Sequence, residues 1–384
     1  MGAKRANWLL LIASVTITLL VLEAALRCSG LARMSARFRC FDAIIGKVYC
    51  PAAEGAFARG EYSNHLVINS EGMVDKEYPL AKPAGVLRVV LLGDSFTASE
   101  YLPEEDKFEG ILEHEMSRAL KQPVELLNFG ISATETWNQL QVFHLRAARY
   151  RPDVTLLVFF WGNDIRDNIG QLRAGSPNPL LNEYHAPLPR RLMEMRKNFN
   201  KALWNHSMLY QLVHDGYGNL AQSIESRFQP DYLRRIDNAI AGEENDAAEG
   251  DADTRSMPLT DTDYDDDDLF FWNSPGWIVS RKLILRLKSE VEANGSRLVV
   301  LHFPPEGLAH STFALPCREF DRFLAQNAIP YVSLFPDYEA FDDEELRSHF
   351  IPGDGHWTRH GHRFVARRMK AVLQEALSGR PVVQ

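Results

Sequence analysis

Leu87-Arg88-Val89-Val90-Leu91-Leu92-Gly93-Asp94-Ser95 is the stretch that decides the fold of this 384-residue chain. Its first six residues form a short, nearly continuous apolar run, as expected of a strand buried on both faces of a parallel sheet. Similar runs recur at Val124 to Asn128, Val154 to Phe160, Leu298 to Phe303 and Ile329 to Leu334. Helical patterns lie between them: Phe108, Ile111, Leu112 and Met116 share one face, and Val365, Met369, Val372 and Ala376 share another. Strands alternating with helices predict a three-layer α/β/α sandwich around a central parallel sheet, over residues 85–379.

Outward from this core the pattern breaks in three places. Residues 165–277 carry Pro-rich turns, scattered aromatics and an acidic tract, and read as an insertion. The tract, 243–268, holds twelve acids against Arg255 alone and has the composition of a solvated, disordered loop. Alternating Asp261, Asp263 and Asp265 suggest a calcium loop, but no turn glycine and no closing glutamate accompany them. The whole chain has a formal charge of −9, so without the tract's −11 it is near +2, and no basic face for nucleic acid is indicated. Residues 31–84 show no sustained period and read as an irregular lead-in.

Residues 1–30 begin with Lys4 and Arg5 and continue through an uncharged run from Trp8 to Leu22, the pattern of a signal peptide or membrane anchor. No small-x-small cleavage site follows, which favours an uncleaved N-terminal anchor helix. Arg27, Arg33, Arg37 and Arg39 count against an extracytoplasmic body by the positive-inside rule. Long domains translocate largely despite such charges, so an extracytoplasmic body is the expectation. Of the four cysteines, none forms a Cys-x-x-Cys pair. Cys40 and Cys50 are placed to close a short disulfide in an oxidising compartment, and free thiols remain equally open.

In open α/β sheets reactive groups gather beyond the carboxyl ends of the strands. Those positions hold Gly93-Asp94-Ser95, Asn128-Phe129-Gly130 and Gly162-Asn163-Asp164, and Asp354-Gly355-His356 precedes the last helix. Each block alone fits a plain structural role: Ser95 as a helix cap, Gly130 as a turn glycine, Asn163 in an Asx turn. The ordered set carries chemistry. A serine nucleophile needs a base, a group to orient the base, and donors for the oxyanion. Ser95 is placed as the nucleophile, His356 as its base and Asp354 as the orienting group; the amides of Ser95 and Gly130 and the side chain of Asn163 supply the donors. Asp94 and Asp164 read as structural acceptors of turn amides. Asp354, His356, His360 and His362 also invite a metal reading, weakened by the turn at Gly361. Trp161 and Trp357 flank the blocks and offer a sugar-stacking platform, although tryptophans more often serve the core.

These four blocks resemble those of the SGNH/GDSL hydrolases, over roughly Val86 to Leu377 with the insertion unmatched. The resemblance implies a three-layer fold, a Ser95-His356-Asp354 triad, an oxyanion hole from Ser95, Gly130 and Asn163, and no metal or organic cofactor. One departure stands out. Many members place the acid three residues before the histidine, where this chain has Gly353. The Asp354-x-His356 spacing is similar to that of the alginate O-acetyltransferase-like branch, although there the pair precedes the serine. The expected function is a membrane-anchored serine esterase acting on an O-acyl, chiefly O-acetyl, ester of a surface or exported glycan. The alternatives are an O-acyltransferase with the same triad, or a catalytically silent glycan-binding or assembly protein.

Overall fold

A computed structural model of the chain describes residues 2–29, 38–42, 44–165, 167–168, 207, 209, 272, 275–306 and 314–379. The acidic tract, the calcium-loop aspartates and nearly all of the 165–277 insertion lie outside the described residues.

The strands are β1 (Arg39–Asp42), β2 (Gly46–Tyr49), β3 (Glu54–Arg59), β4 (Tyr62–Val67), β5 (Leu87–Leu92), β6 (Val124–Asn128), β7 (Val154–Phe160), β8 (Arg297–Phe303) and β9 (Tyr331–Ser333). The helices are α1 (Gly2–Ser29), α2 (Ser95–Ala98), α3 (Phe108–Leu120), α4 (Thr136–Leu145), α5 (Pro275–Ala293), α6 (Ala314–Gln326), α7 (Phe335–Ala340), α8 (Asp343–Ser348) and α9 (Arg359–Leu377). Strands β5 to β9 form one parallel sheet in the order β6-β5-β7-β8-β9. The apolar strand runs are therefore where the sequence placed them, and the sheet is covered on both faces. Alternation within a strand explains the layers. Val89 and Leu91 of β5 point to one core, with Phe108, Leu112 and Met116 of α3 and Val365 and Met369 of α9. Val90 and Leu92 point to the other, with Leu140 and Phe143 of α4, Leu283 and Leu287 of α5 and Phe320 of α6.

Arg88 interrupts the apolar run without breaking the strand because every arm of its buried guanidinium is engaged. Its Nε donates to Glu125 Oε2 at 2.6 Å, Nη1 to the Leu80 and Tyr150 carbonyls at 3.1 Å each, and Nη2 to the Pro79 carbonyl at 2.6 Å. A buried charge is tolerable when paired and fully bonded in this way.

The lead-in is not irregular. Strands β1 and β2 form one antiparallel hairpin and β3 and β4 another. The β3 side chains alternate exposed and half-buried, but the alternation runs through Gly55, Ala56 and Ala58 rather than β-branched residues, so it left little period-two signal. Cys40 and Cys50 are joined by a disulfide that closes the first hairpin.

The expected membrane span is corrected. Residues 2–29 are helical, yet among the described residues no helix is long and apolar enough to cross a membrane. The uncharged run Trp8 to Leu22 covers about 22 Å as a helix, against roughly 30 Å of bilayer hydrocarbon.

Replacing Arg88 by Met should leave three carbonyls, the buried one of Tyr150 among them, and the Glu125 carboxylate without their donor, and lower the unfolding free energy by about 3 kcal/mol, measured by denaturant titration. A loss within experimental error would show that water or the chain re-satisfies these groups.

Candidate active site

Strand order reverses between β5 and β7, and the turns after both strands open on the same crevice. The turn after β5 is built by Asp94, whose buried carboxylate caps the single-turn helix α2 by accepting the Phe96 amide at 2.9 Å. The helix that Ser95 opens ends at Ala98 and is a single turn. The same carboxylate accepts Asn163 Nδ2 at 2.7 Å from the turn after β7. Asp164, buried beside them, accepts the Phe160 amide at 2.9 Å. Burial pushes both aspartates above the usual carboxylate range, and the charge of Asp94 pushes Asp164 further.

The loop carrying the histidine is pinned at its base. Phe350 bridges Trp357, the Ile351 amide donates to the His356 carbonyl at 2.7 Å, and the Thr358 amide donates to the His349 carbonyl at 2.8 Å. At the tip Gly353 and Gly355 take φ of +72° and +80°, the left-handed region that glycine enters without penalty. This curl lets an acid only two residues upstream fold back on its histidine.

The structure brings Ser95, His356 and Asp354 together. Ser95 Oγ lies 2.7 Å from His356 Nε2, and His356 Nδ1 lies 2.6 Å from Asp354 Oδ1. Asp354 holds its carboxyl below the usual range: burial raises it, but the bond to His356, the charge of His356 and the Arg59 guanidinium outweigh that. An ionised carboxylate only accepts, so Nδ1 carries the proton and Nε2 is free to accept from the Ser95 hydroxyl. Phe96 stacks on the imidazole, its ring 4.7 Å from that of His356.

The three expected oxyanion donors are placed less simply. Ser95 opens α2 at the crevice, and Asn163 reaches into it while bonded to Asp94. The Gly130 amide donates to Asn128 Oδ1 at 2.9 Å. Gly130 is also required by packing, since a Cβ there would stand 2.6 Å from the Ala98 amide nitrogen and from Thr97 Cβ. In the same loop Ile131 donates its amide to the Gly93 carbonyl at 3.0 Å, and exposed Ala133 takes a φ of +59°.

Two other expectations change. Trp161 and Trp357 are core residues, 2% and 0% exposed, and form no sugar platform. Trp357 packs on Phe96 and Phe303 and donates to the Tyr338 hydroxyl at 3.0 Å. His362 leaves the metal set: its Nδ1 accepts the Phe108 amide at 3.1 Å and its Nε2 faces the Tyr101 and Ser99 hydroxyls. Among the described residues no group of three or more histidine, cysteine or acidic side chains is arranged to hold a metal.

The order of these strand-end blocks on a parallel sheet resembles that of the SGNH/GDSL hydrolases. No protein-family model matches the chain. The alginate biosynthesis protein AlgX of Pseudomonas aeruginosa is 28% identical over 177 residues, 43% of this chain and 33% of that protein. The chain thus matches about a third of that relative's length. Similar solved structures include a lipase/acylhydrolase from Enterococcus faecalis, 10% identical, covering 78% of this chain and 100% of that chain at a TM-score of 0.35. The acetyl xylan esterase AlAXEase is 11% identical and covers 74% and 98% at a TM-score of 0.38. Likeness this distant carries no argument about substrate.

Buried His362 yields a stability prediction. Burial first, then the charges of Lys107 and His356, lower its pKa from 6.5 to about 3. Below pH 6.5 the unfolded chain takes up a proton that the folded one refuses. The contribution is therefore complete above that pH and is lost as pH falls toward 3. His362→Gln keeps an acceptor and a donor without titrating. Between pH 6.5 and 5 it should lose about 2 kcal/mol less stability than the wild type. Parallel losses in both proteins would refute this.

Proposed function

We propose that the chain cleaves O-acyl esters through a covalent acyl-enzyme on Ser95, with His356 as general base and Asp354 orienting it. The observation that carries this reading is the continuous line Ser95 Oγ, His356, Asp354 at 2.7 and 2.6 Å. In the first half-reaction Ser95 Oγ bonds to the ester carbonyl carbon and its proton passes to His356 Nε2. The tetrahedral adduct collapses, the C–O bond to the alcohol breaks, and the imidazolium returns the proton to the departing oxygen. Water, activated by the same imidazole, then releases the acid; a sugar hydroxyl in its place would make the protein a transferase. Ser95's amide and Asn163's side chain stabilise the oxyanion. The substrate is an O-acetylated glycan, a reading supported by the partial similarity to a protein of alginate biosynthesis.

The body of the protein faces an oxidising, extracytoplasmic compartment and is held at a membrane by α1. The Cys40–Cys50 disulfide supports the first part. Leu10, Ile17, Leu20 and Val21, each more than 60% exposed on α1, support the second. Removing residues 1–29 should move the protein from the membrane to the soluble fraction; unchanged fractionation would refute the attachment.

Ser95→Ala and His356→Ala should each remove nearly all hydrolysis of nitrophenyl acetate, without additivity in the double variant. Asn163→Ala should reduce kcat by roughly a hundred- to a thousandfold, the scale of one oxyanion donor. Fluorophosphonate should add mass to Ser95 alone. A folded protein that resists this label would favour the catalytically silent binding role, and wild-type turnover by Ser95→Ala would end the acyl-enzyme reading. Supplying an acetyl donor with and without oligosaccharide separates esterase from transferase by product.

A further inference from the structure

Hairpin β3–β4 rests on both segments that flank the reacting pair. Asn64 Nδ2 donates to the Glu100 and Leu102 carbonyls at 3.1 and 2.9 Å, just beyond the Ser95 turn. The Tyr62 ring lies 5.8 Å from that of Tyr101. A Cβ on Gly60 would come within 2.7 Å of Ile351 Cγ2, at the start of the histidine loop. The last residue of β3, Arg59, therefore projects toward the triad acid. Its Nε lies 3.9 Å from Asp354 Oδ2, and its guanidinium lies 5.6 Å from the Tyr101 ring centre. Burial alone would raise the carboxyl of Glu100, and Arg59 is the largest of the charges that instead hold it below the usual range.

The histidine loop gives Asp354 little packing of its own. A Cβ added at Gly353 or Gly355 would meet nothing within 4 Å, and the Asp354 side chain is 31% exposed. Oδ1 is occupied by the ring and amide of His356. Oδ2 faces Arg59.

We propose that Arg59, from outside the sandwich, is a positioning residue that holds the second oxygen of Asp354 and so fixes that carboxylate against His356. The inference rests on the acyl-enzyme reading above. The charged or titratable groups facing His356 are Asp354 on its own loop, Asp94 below Ser95, Tyr101, and His362 on α9, and behind Asp354 stands the permanent cation Arg59. Removing Arg59 leaves Asp354 a stronger acceptor for the imidazolium, so the acidic limb of the activity profile moves to higher pH.

The test compares full-length wild type, Arg59→Met, Arg59→Lys and Ser95→Ala in nitrophenyl acetate hydrolysis from pH 5 to 9, with circular dichroism as the folding control. Arg59→Met should lower kcat about tenfold with KM little changed, and move the acidic limb of the profile up by about half a pH unit or more. Arg59→Lys should restore most of the limb position. An unmoved limb in Arg59→Met overturns the inference, as does equal loss in both variants with no shift. Wild-type labelling on Ser95 alongside either result confines the failure to Arg59, whereas wild-type turnover by Ser95→Ala removes both readings.

Discussion

The buried carboxylate of Asp94 is the interaction on which the rest of the site depends. One oxygen caps the turn that presents Ser95, and the other holds the amide of Asn163, so a single side chain ties the end of β5 to the end of β7. Two strand-end loops separated by some seventy residues in sequence thereby become one rigid edge. Preorganisation of this kind lets donors meet a developing charge without rearrangement. Burial raises the pKa of that carboxylate, while the Phe96 and Asn163 donors oppose the rise, so the linkage weakens when either donor is removed.

The sheet and its reacting residues were legible because they rest on strong local signals. Five apolar runs marked the five parallel strands, and the residues following three of them supplied the serine, glycine and asparagine blocks. The roles within those blocks were less legible. Gly130 looks like an oxyanion donor by order alone, yet its amide is bonded to Asn128 and its missing side chain is what lets α2 pack against the loop. Both facts depend on tertiary proximity that no spacing encodes. Trp161 and Trp357 similarly sit next to the blocks in sequence while their rings turn into the core.

The two N-terminal hairpins were hidden for a different reason. In β3 the alternation runs through Gly55, Ala56 and Ala58, which give little hydropathic contrast, and in β1 and β2 burial does not alternate. What stabilises them is contact with the catalytic body. Tyr49 donates to buried Glu100 and accepts the Ser132 amide, so the disulfide-closed hairpin braces the loop after β6. Arg39 adds a bond to the Ser132 carbonyl. The first hairpin thus holds the Gly130 loop and the second leans on the histidine loop.

The short spacing between Asp354 and His356 explains why such bracing is needed. An acid three residues upstream has a longer arc in which to reach the ring from within the fold. Two residues upstream, Asp354 reaches only through a curl that requires positive φ at Gly353 and Gly355, and the curl lifts the acid toward solvent. Exposure weakens an ion pair by screening and leaves the acid freer to rotate. A neighbouring element must then restrict it. The hairpin that does so comes from a segment preceding the sheet, which makes the geometry of the site depend on the docking of two parts of the chain rather than on the sandwich alone.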